Sequence, residues 1–343
     1  MSDPPSRLRW LLVGDGSAIH VRRLSAALAD IGIDVHLAHF DGVAEPGVTS
    51  HRLKAHARGD LRYPLAVPEL RRVIKRVQPD VTNPHYLTSY GLMTALAGAP
   101  FTVQTVWGSD IYVTAKRQPF RIADALALRR AQLITGCSLD LLSDARALAP
   151  RVPTHRFVFA PPEWLFNASQ PKLPVIVSPR NHEPIYRIDL VLEAWKLAGE
   201  MLPRHSLIVA GSGSQTRELQ SRAPGRVTFR GLLPHAQLLN QLLAASLVIS
   251  VPTSDASSAA VLEAVAAGCS VVASDTPTMR ELLPAEHLVP IDAGAPELAD
   301  AIVRLVDRPV EVTREWTFEA QVDSLVSAVT EQLGRRQRPT AAC

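Results

Sequence analysis

Cysteine is scarce in this chain, and its positive and negative charges nearly cancel. The 343 residues include three cysteines, Cys137, Cys269 and Cys343, an odd number whose spacing fits neither a metal site nor a disulfide framework. The 36 Lys and Arg residues face 33 Asp and Glu residues, and the net charge of +3 is too small to indicate a nucleic-acid partner. We therefore expect a protein of a reducing, cytoplasmic compartment that binds no nucleic acid.

Long apolar runs are missing as well. The first residues, Met-Ser-Asp-Pro-Pro-Ser, lack the basic start and apolar stretch of a signal peptide. No segment approaches the roughly 18 consecutive apolar residues that a membrane span needs. Hydrophobic residues still make up 47% of the chain, which excludes disordered and fibrous classes. We expect no transmembrane segment, and the sequence leaves peripheral membrane contact and the oligomeric state open.

Strands and helices alternate along the first half of the chain. Residues 8–14 are typical of a buried strand, which a glycine turn joins to a helix at 19–31. The same alternation continues to a strand at 133–137, with a helix predicted from Pro68 to Val77. Strands that alternate with helices predict a parallel sheet covered on both faces.

A proline-rich stretch divides the chain, and a second series of strands and helices follows it. The length also favours two domains, since one core rarely grows beyond about 250–300 residues. We expect an N-terminal domain at 1–160, a linker at 161–174 and a second α/β domain at 175–312. At 313–343 we expect a C-terminal helix that packs back toward the N-terminal domain and ends in a frayed tail. The apolar stripe of that last helix indicates core packing rather than a partner-binding face.

The strongest functional pattern lies at residues 250–275. A strand ends before a polar loop that holds Asp255, and the small residues Ser258 and Ala259 open a helix that carries Glu263. Free backbone N–H groups at a helix start suit a diphosphate. A ligand along this helix would place ribose hydroxyls at Glu263 and a sugar near Asp255. The alternative is that Asp255 or Ser257 caps the helix and that Glu263 is a surface residue.

Two arginines follow the first strand of the second domain. Arg180 and Arg187 offer bidentate, charge-assisted donors that suit a diphosphate. Alternatively, both are surface residues that pair with Glu183 or Asp189.

These motifs resemble glycosyltransferase family four, retaining enzymes of the GT-B fold. The chain has Asp255, seven residues, Glu263, then Ala-Val-Ala-Ala-Gly and a Val-Val-Ala strand, where the family usually has Glu at the first position. Residues 178–195 are similar to the family's arginine loop, with Arg187 where a Lys usually stands. The resemblance implies two Rossmann-like α/β domains whose parallel sheets face each other across a cleft.

Glycine turns extend the resemblance over almost the whole chain. Gly211 and Gly213 resemble one family turn, and the turn before Leu232 implies that the backbone there meets the nucleobase. Gly14 and Gly16 resemble the first glycine loop, which faces donor phosphate or acceptor. A dinucleotide fingerprint is a poor fit, because Ile19 stands where the third glycine would be.

Four further residues follow strands or begin a helix of the first domain, where open α/β sheets build their sites. They form a candidate acceptor or sugar site: His20, His85, Trp107 and Asp110. Many family members have His at the position of Trp107, which either stacks on a sugar or fills the cleft wall. For His20 and His85 a purely structural role is equally open.

The family resemblance implies a retaining glycosyltransferase that uses a nucleotide-diphosphate sugar. Arg180, Arg187 and the helix start would stabilise charge on the leaving diphosphate, and Asp255 would position the sugar. We favour a UDP-linked hexose or N-acetylhexosamine as donor, and the acceptor stays undefined among small-molecule, carrier-bound, lipid and glycan classes. No Asp-x-Asp pair is present, so no essential metal is expected, nor is a prosthetic group. The alternatives are a GT-B epimerase or phosphorylase and a catalytically weakened nucleotide-sugar binding protein.

Overall fold

The computed structural model describes residues 7–54, 57, 59–112, 120–255, 258–310 and 316–337. The chain divides into two compact units. Unit 1 comprises Met1–Phe159 together with Glu319–Cys343, and unit 2 comprises Ala160–Phe318.

Unit 1 alternates strands and helices as its sequence pattern predicts. Its strands are β1 (Arg9–Val13), β2 (Asp34–His39), β3 (Thr49–Arg52), β4 (Val81–Pro84), β5 (Val103–Thr105), β6 (Leu133–Gly136) and β7 (Thr154–Arg156). Its helices up to residue 148 are α1 (Ile19–Asp30), α2 (Arg62–Val77), α3 (Leu92–Ala97), α4 (Gly108–Tyr112), α5 (Phe120–Arg130) and α6 (Leu139–Leu148). A π-helical turn, Leu87–Gly91, leads into α3.

Parallel pairing brings the carboxyl ends of three strands together. One sheet has the order β3-β2-β1-β4, and β5-β6-β7 form a second set. Isolated parallel bridges, Thr82 with Thr102 and His85 with Thr105, join β4 to β5. The loops that follow β1, β4 and β5 are therefore neighbours at one edge of the sheet.

Helix α2 begins earlier than the sequence predicts. The sequence pattern predicts a start at Pro68, a residue type that is favoured in a first helical turn. The structure begins the helix at Arg62 and leaves Pro68 inside it. The apolar face continues in front of the proline, since Ala66 is fully buried together with Leu70, and packing of that face against the core supports the extra turns.

Unit 2 repeats the architecture with six strands. They are β8 (Leu173–Ser178), β9 (Ser206–Ala210), β10 (Val227–Gly231), β11 (Ala245–Ser250), β12 (Ser270–Ser274) and β13 (Leu288–Val289). The helices are α7 (Glu163–Asn167), α8 (Ile188–Met201), α9 (Thr216–Ser221), α10 (His235–Ala244), α11 (Ala259–Ala266), α12 (Pro277–Arg280) and α13 (Ala295–Leu305). All pairings are parallel, in the order β10-β9-β8-β11-β12-β13.

Alternate side chains of this sheet enter two different cores. Ile176, Leu247 and Ile249 pack with the apolar faces of α8 and α13. Val177 and Val248 pack on the other side, with residues of α10 and α11. Because successive strand residues point to opposite faces, the sheet is buried on both sides, as the continuous apolar runs predict.

The last helix, α14 (Phe318–Gln337), buries the stripe that the sequence marks as core. Val322, Leu325 and Val329 are almost fully buried. Within unit 1, the side chain of Gln321 accepts a hydrogen bond of 3.0 Å from the backbone N–H of Val158.

Candidate active site

The guanidinium of Arg180 lies among three side chains at the carboxyl edge of the unit 2 sheet. Nη1 donates to the hydroxyl of Ser258 at 2.7 Å, and Nη2 donates to Oδ2 of Asp255 at 2.8 Å. The ring of Tyr186 lies 4.4 Å from the guanidinium carbon, so the charged group stacks on an aromatic face. Arg180 follows β8 and Asp255 follows β11, and these strands are neighbours in the sheet. The fold therefore fixes the plane of the guanidinium and leaves further N–H groups of Arg180 available to a ligand.

Ser258 caps the helix that follows. Its hydroxyl oxygen accepts from the backbone N–H of Val261 at 3.3 Å as well as from Arg180. With both acceptor positions taken, its own hydrogen remains to be donated. Ala259, the first residue of α11, is exposed. The cap, the arginine and the helix start together offer donors to an anion.

Glu263 is buried rather than a surface residue. Its side chain is 5% exposed, and Oε1 lies 2.8 Å from Nε2 of His235. It is five residues beyond Ser258, a rise of about 7.5 Å along an α-helix. The alternative that Glu263 is a surface residue is therefore wrong.

Arg187 contacts a different part of unit 2. Its guanidinium donates to the backbone carbonyl of Ile291 and, at 2.8 Å, to that of Ala293. The residue itself has φ 54°, in the left-handed region, at the start of α8. Neither Glu183 nor Asp189 pairs with it among the described residues, and its role toward a diphosphate stays a prediction.

The glycines of the β9 turn allow two loops to touch. A Cβ on Gly211, which has φ +130°, would lie 2.4 Å from the carbonyl oxygen of Arg180, and one on Gly213 would lie 2.5 Å from that of His182. Backbone bonds join the loops, with His182 N–H donating to Ser212 at 3.1 Å. These glycines hold the backbone that carries Arg180, whatever contact they make with a ligand.

Leu232 lies just beyond this turn. The residue is 74% exposed and follows Gly231, which has φ +64°. The carbonyl of Gly231 accepts a 2.8 Å hydrogen bond from the N–H of Gly211. The backbone next to Leu232 is thereby fastened to the arginine-bearing loops.

In unit 1 the glycine loop after β1 makes a close backbone approach. A Cβ on Gly16 would lie 2.8 Å from the carbonyl oxygen of Asp41, and Gly16 forms a bridge with Gly42. A Cβ on Gly14 would meet Val21 at 3.1 Å and the Cβ of His85 at 3.5 Å. Both glycines are explained by packing, and their part in ligand binding stays a prediction.

Three of the residues expected at an acceptor site do come together in unit 1. The ring centroids of His20 and Trp107 are 4.1 Å apart, and that of His85 lies 5.9 Å from His20 and 6.0 Å from Trp107. The rings of Tyr86 and Phe159 also contact Trp107. An aromatic cluster thus covers the carboxyl ends of β4 and β5.

The nitrogens of this cluster have few partners. Both ring nitrogens of the fully buried His85, Nε2 of His20 and Nε1 of Trp107 find no hydrogen-bond partner among the described residues. Burial lowers the pKa of His20 to about 4, opposed by the nearby charge of Asp15, and burial followed by the charge of His20 lowers that of His85. Both imidazoles are therefore neutral near pH 7.

Asp110 holds the backbone beneath the cluster. Its Oδ2 accepts a 2.9 Å hydrogen bond from the N–H of Trp107. Burial raises the pKa of Asp110 to about 7, although hydrogen bonds from the backbone of Trp107 and Leu87 act in the opposite direction.

In the part of the chain that the structure describes, no three His, Cys, Asp or Glu side chains group as a metal site, and no helix is long and apolar enough to cross a membrane.

Two family models match the two halves of the chain. Residues 9–138 match the model described as Glycosyl transferase 4-like, and residues 173–308 match that described as Glycosyl transferases group 1. The chain is a glycosyltransferase of the family-four type. The resemblance seen in the sequence motifs is thereby confirmed. None of the curated proteins matches the sequence.

Solved structures show the fold of this glycosyltransferase. Sucrose-phosphate synthase from Thermosynechococcus elongatus aligns with a TM-score of 0.71 at 17% identity, over 96% of this chain and 98% of that one. Anabaena HepE, in complex with UDP-glucose, gives a TM-score of 0.71 at 16% identity, over 96% and 99%. A Listeria monocytogenes protein provisionally named a UDP-N-acetylglucosamine 2-epimerase also gives 0.71, at 15% identity over 98% and 100%. The predicted GT-B class, with two α/β domains and parallel sheets, is confirmed.

Two contacts of the glycosyltransferase site were missed by sequence reasoning. Tyr186 and His235 both lie within or beside the quoted motifs, yet an isolated aromatic or histidine carries no periodic pattern. Only the three-dimensional structure shows that one stacks on Arg180 and that the other contacts Glu263.

Proposed function

We propose that this enzyme transfers a hexose or N-acetylhexosamine from a UDP-linked donor to an acceptor, with retention of the anomeric configuration. Unit 2 binds the donor, and unit 1 presents the acceptor. The donor class is supported by HepE, a structural relative that was solved with UDP-glucose. The sequence motifs of family four support the stereochemistry.

The observation that carries the proposal is the Arg180 cluster. An arginine whose side chain is 11% exposed, held at 2.8 Å by Asp255 and at 2.7 Å by Ser258, lies where a helix begins. Departure of the donor's diphosphate builds negative charge, and donors already fixed in place stabilise that charge with little reorganisation. Arg180, the hydroxyl of Ser258 and the first N–H groups of α11 are those donors.

Glu263 binds the ribose in this proposal. A carboxylate accepts hydrogen bonds from hydroxyl groups, and Glu263 lies about 7.5 Å along the helix from the diphosphate end. Asp255, at the opposite end, accepts from a sugar hydroxyl while it holds Arg180. One short helix and its preceding loop thus contact three parts of the donor.

The proposed sugar transfer needs no nucleophile from the protein. The bond between the sugar C1 and the diphosphate oxygen breaks, and the acceptor oxygen attacks the same face of an oxocarbenium-like sugar. The acceptor's proton passes to the departing diphosphate oxygen, so atoms and charge balance. The partly exposed rings of His20 and Trp107 form the surface of unit 1 on which a hydroxylated acceptor would lie, and the fully buried His85 packs behind them.

Nucleotide release tests this function. The protein is incubated with UDP-glucose, UDP-N-acetylglucosamine and GDP-mannose, with and without sugar, lipid and glycan acceptors, while free UDP or GDP and the product's anomeric configuration are measured. We expect UDP release that rises with an acceptor and falls in Arg180→Ala. Arg222→Ala is the control, because that exposed arginine pairs only with the helix-surface Glu193 and Glu218 among described residues.

Other outcomes would replace the proposal. Conversion of UDP-N-acetylglucosamine into its C2 epimer without nucleotide release would indicate an epimerase, as in the name of the Listeria relative. Tight donor binding without any turnover would indicate a binding protein. An inverted product would contradict retention while leaving the transferase assignment intact.

A further inference from the structure

The buried carboxylate of Glu263 already has a partner, and that partner is exposed. His235 has a side chain that is 41% exposed, and its Nε2 lies 2.8 Å from Oε1 of Glu263. Carboxylate oxygens accept hydrogen bonds, so the pairing has Nε2 of His235 as the donor. The contact occupies Oε1 and leaves Oε2 for another donor.

The same histidine fixes one end of the loop at Leu232. His235 is the first residue of α10, and residues 232–234 connect it to β10. The other end of this loop is fixed at Gly231, whose carbonyl accepts from Gly211 at 2.8 Å. Loop 232–234 is therefore fastened on one side to the loops that carry Arg180 and on the other to Glu263.

We propose that His235 is a positioning residue for recognition of the donor's ribose. It orients the Glu263 carboxylate so that Oε2 receives a ribose hydroxyl, and it sets the distance between that carboxylate and loop 232–234. The inference rests on the proposed function, in which Glu263 binds the ribose. A carboxylate that loses its histidine partner can turn away from the ribose or bind water in its place, which weakens selection for the hydroxyl.

Deoxyribose analogues measure this role directly. Affinities for UDP, 2′-deoxy-UDP and 3′-deoxy-UDP, with the GDP series in parallel, are determined for the wild type, His235→Ala, His235→Gln and Glu263→Ala. The control is Gln237→Ala, an exposed position on the same helix. The ratio of deoxy-analogue to parent affinity isolates the hydroxyl contact from general loss of binding.

We expect the wild type and Gln237→Ala to prefer the parent nucleotide by roughly tenfold or more, the effect of a hydrogen bond to a charged group. Glu263→Ala should abolish the preference, and His235→Ala should reduce it at least threefold. His235→Gln should restore most of it, because its amide N–H can still donate to the carboxylate.

Two results would overturn the inference in distinguishable ways. If His235→Ala keeps the full wild-type preference, even with weaker overall binding, the histidine is not a positioning residue, while ribose binding by Glu263 stands. If the wild type has no preference for ribose, or binds neither nucleotide series, the proposed role of Glu263 fails and the role of His235 fails with it. Melting curves confirm that each variant is folded.

Discussion

The guanidinium of Arg180 and the carboxylate of Asp255 form an ion pair, 2.8 Å between Nη2 and Oδ2, across 75 positions of sequence. Their side chains are only 11% and 15% exposed. Water therefore screens the pair poorly, and removing one partner leaves a largely buried charge unpaired. Under the proposed function, a substitution of Asp255 would therefore change both the orientation of Arg180, which donates to the diphosphate, and the contact with the donor sugar.

Asp255→Asn should lose turnover while keeping affinity for the bare nucleotide. The amide removes the charge that orients Arg180 and weakens a hydrogen bond to the sugar, a loss of about 1.5–3 kcal/mol or roughly 10- to 100-fold in rate. Bare UDP lacks the sugar and meets a freed arginine, so its affinity is retained or improved. Steady-state rates beside calorimetric UDP affinities decide the matter, and wild-type turnover would contradict the role.

Asp255→Glu tests the length of the side chain. The family usually has Glu here, yet this chain pairs the shorter carboxylate with Arg180 at 2.8 Å. We expect the extra methylene to crowd the sugar and to lower activity. Unchanged or higher activity would show that the site is not tuned to aspartate.

Arg180→Ala and Arg187→Ala should behave differently. Arg180 points its donors toward Ser258 and the helix start, so its loss should lower kcat more than it raises KM for the donor. Arg187 donates to the carbonyls of Ile291 and Ala293, so its loss should lower the free energy of unfolding by about 1–2 kcal/mol with a smaller effect on kcat. If Arg187→Ala lowered kcat more than Arg180→Ala does, the result would instead support a contact between Arg187 and the diphosphate.

The sequence predicted this site at the level of strand ends and motifs. Parallel strands place Arg180, Gly211 and Asp255 at one sheet edge once the βα alternation is recognised, so their proximity follows from the pattern. The direction of a long side chain does not follow in the same way. Arg187 carries the same charge as Arg180 and lies seven residues later, yet its backbone is left-handed and its guanidinium donates to carbonyls that follow β13, contacts that the sequence pattern does not predict.

Short secondary-structure elements are the second feature that the sequence does not predict. Strand β3 and helix α7 are missing from the expected series, in which the proline-rich stretch predicts a linker at 161–174. Both elements are only four or five residues long, so neither shows a full period of apolar residues. Long elements such as α10, His235–Ala244, were predicted with the bounds that the structure has.

Gly211→Ala should destabilise unit 2 and lower activity together. A Cβ there would lie 2.4 Å from the carbonyl oxygen of Arg180, and φ +130° is strained for any other residue. We expect a loss of about 1–3 kcal/mol in unfolding free energy. Gly225→Ala is the matched control, because a Cβ there meets nothing within 4 Å and should change stability by less than about 0.5 kcal/mol. Equal denaturation midpoints for the two variants would contradict the packing role.

The partly buried His20 of unit 1 should make stability depend on pH with a definite sign. The pKa of His20 falls from 6.5 to about 4 in the folded protein, mainly through burial. Between these values the unfolded chain binds more protons, so the stabilising contribution is complete above pH 6.5 and is lost as the pH falls toward 4. The shift corresponds to about 3 kcal/mol at most.

The difference in unfolding free energy between the wild type and a His20 variant isolates the contribution of His20. Urea unfolding of the wild type and of His20→Gln at several pH values between 7 and 4 should give a stability difference that moves against the wild type as the pH falls. Asp110→Asn is the opposite control. Because burial raises the pKa of Asp110 from 3.8 to about 7, its contribution is fully present below pH 3.8 and is lost as the pH rises from there to about 7. Parallel curves for the wild type and His20→Gln would show that His20 titrates in the folded state as it does in the unfolded chain, and the imidazole would then be charged below about pH 6.5.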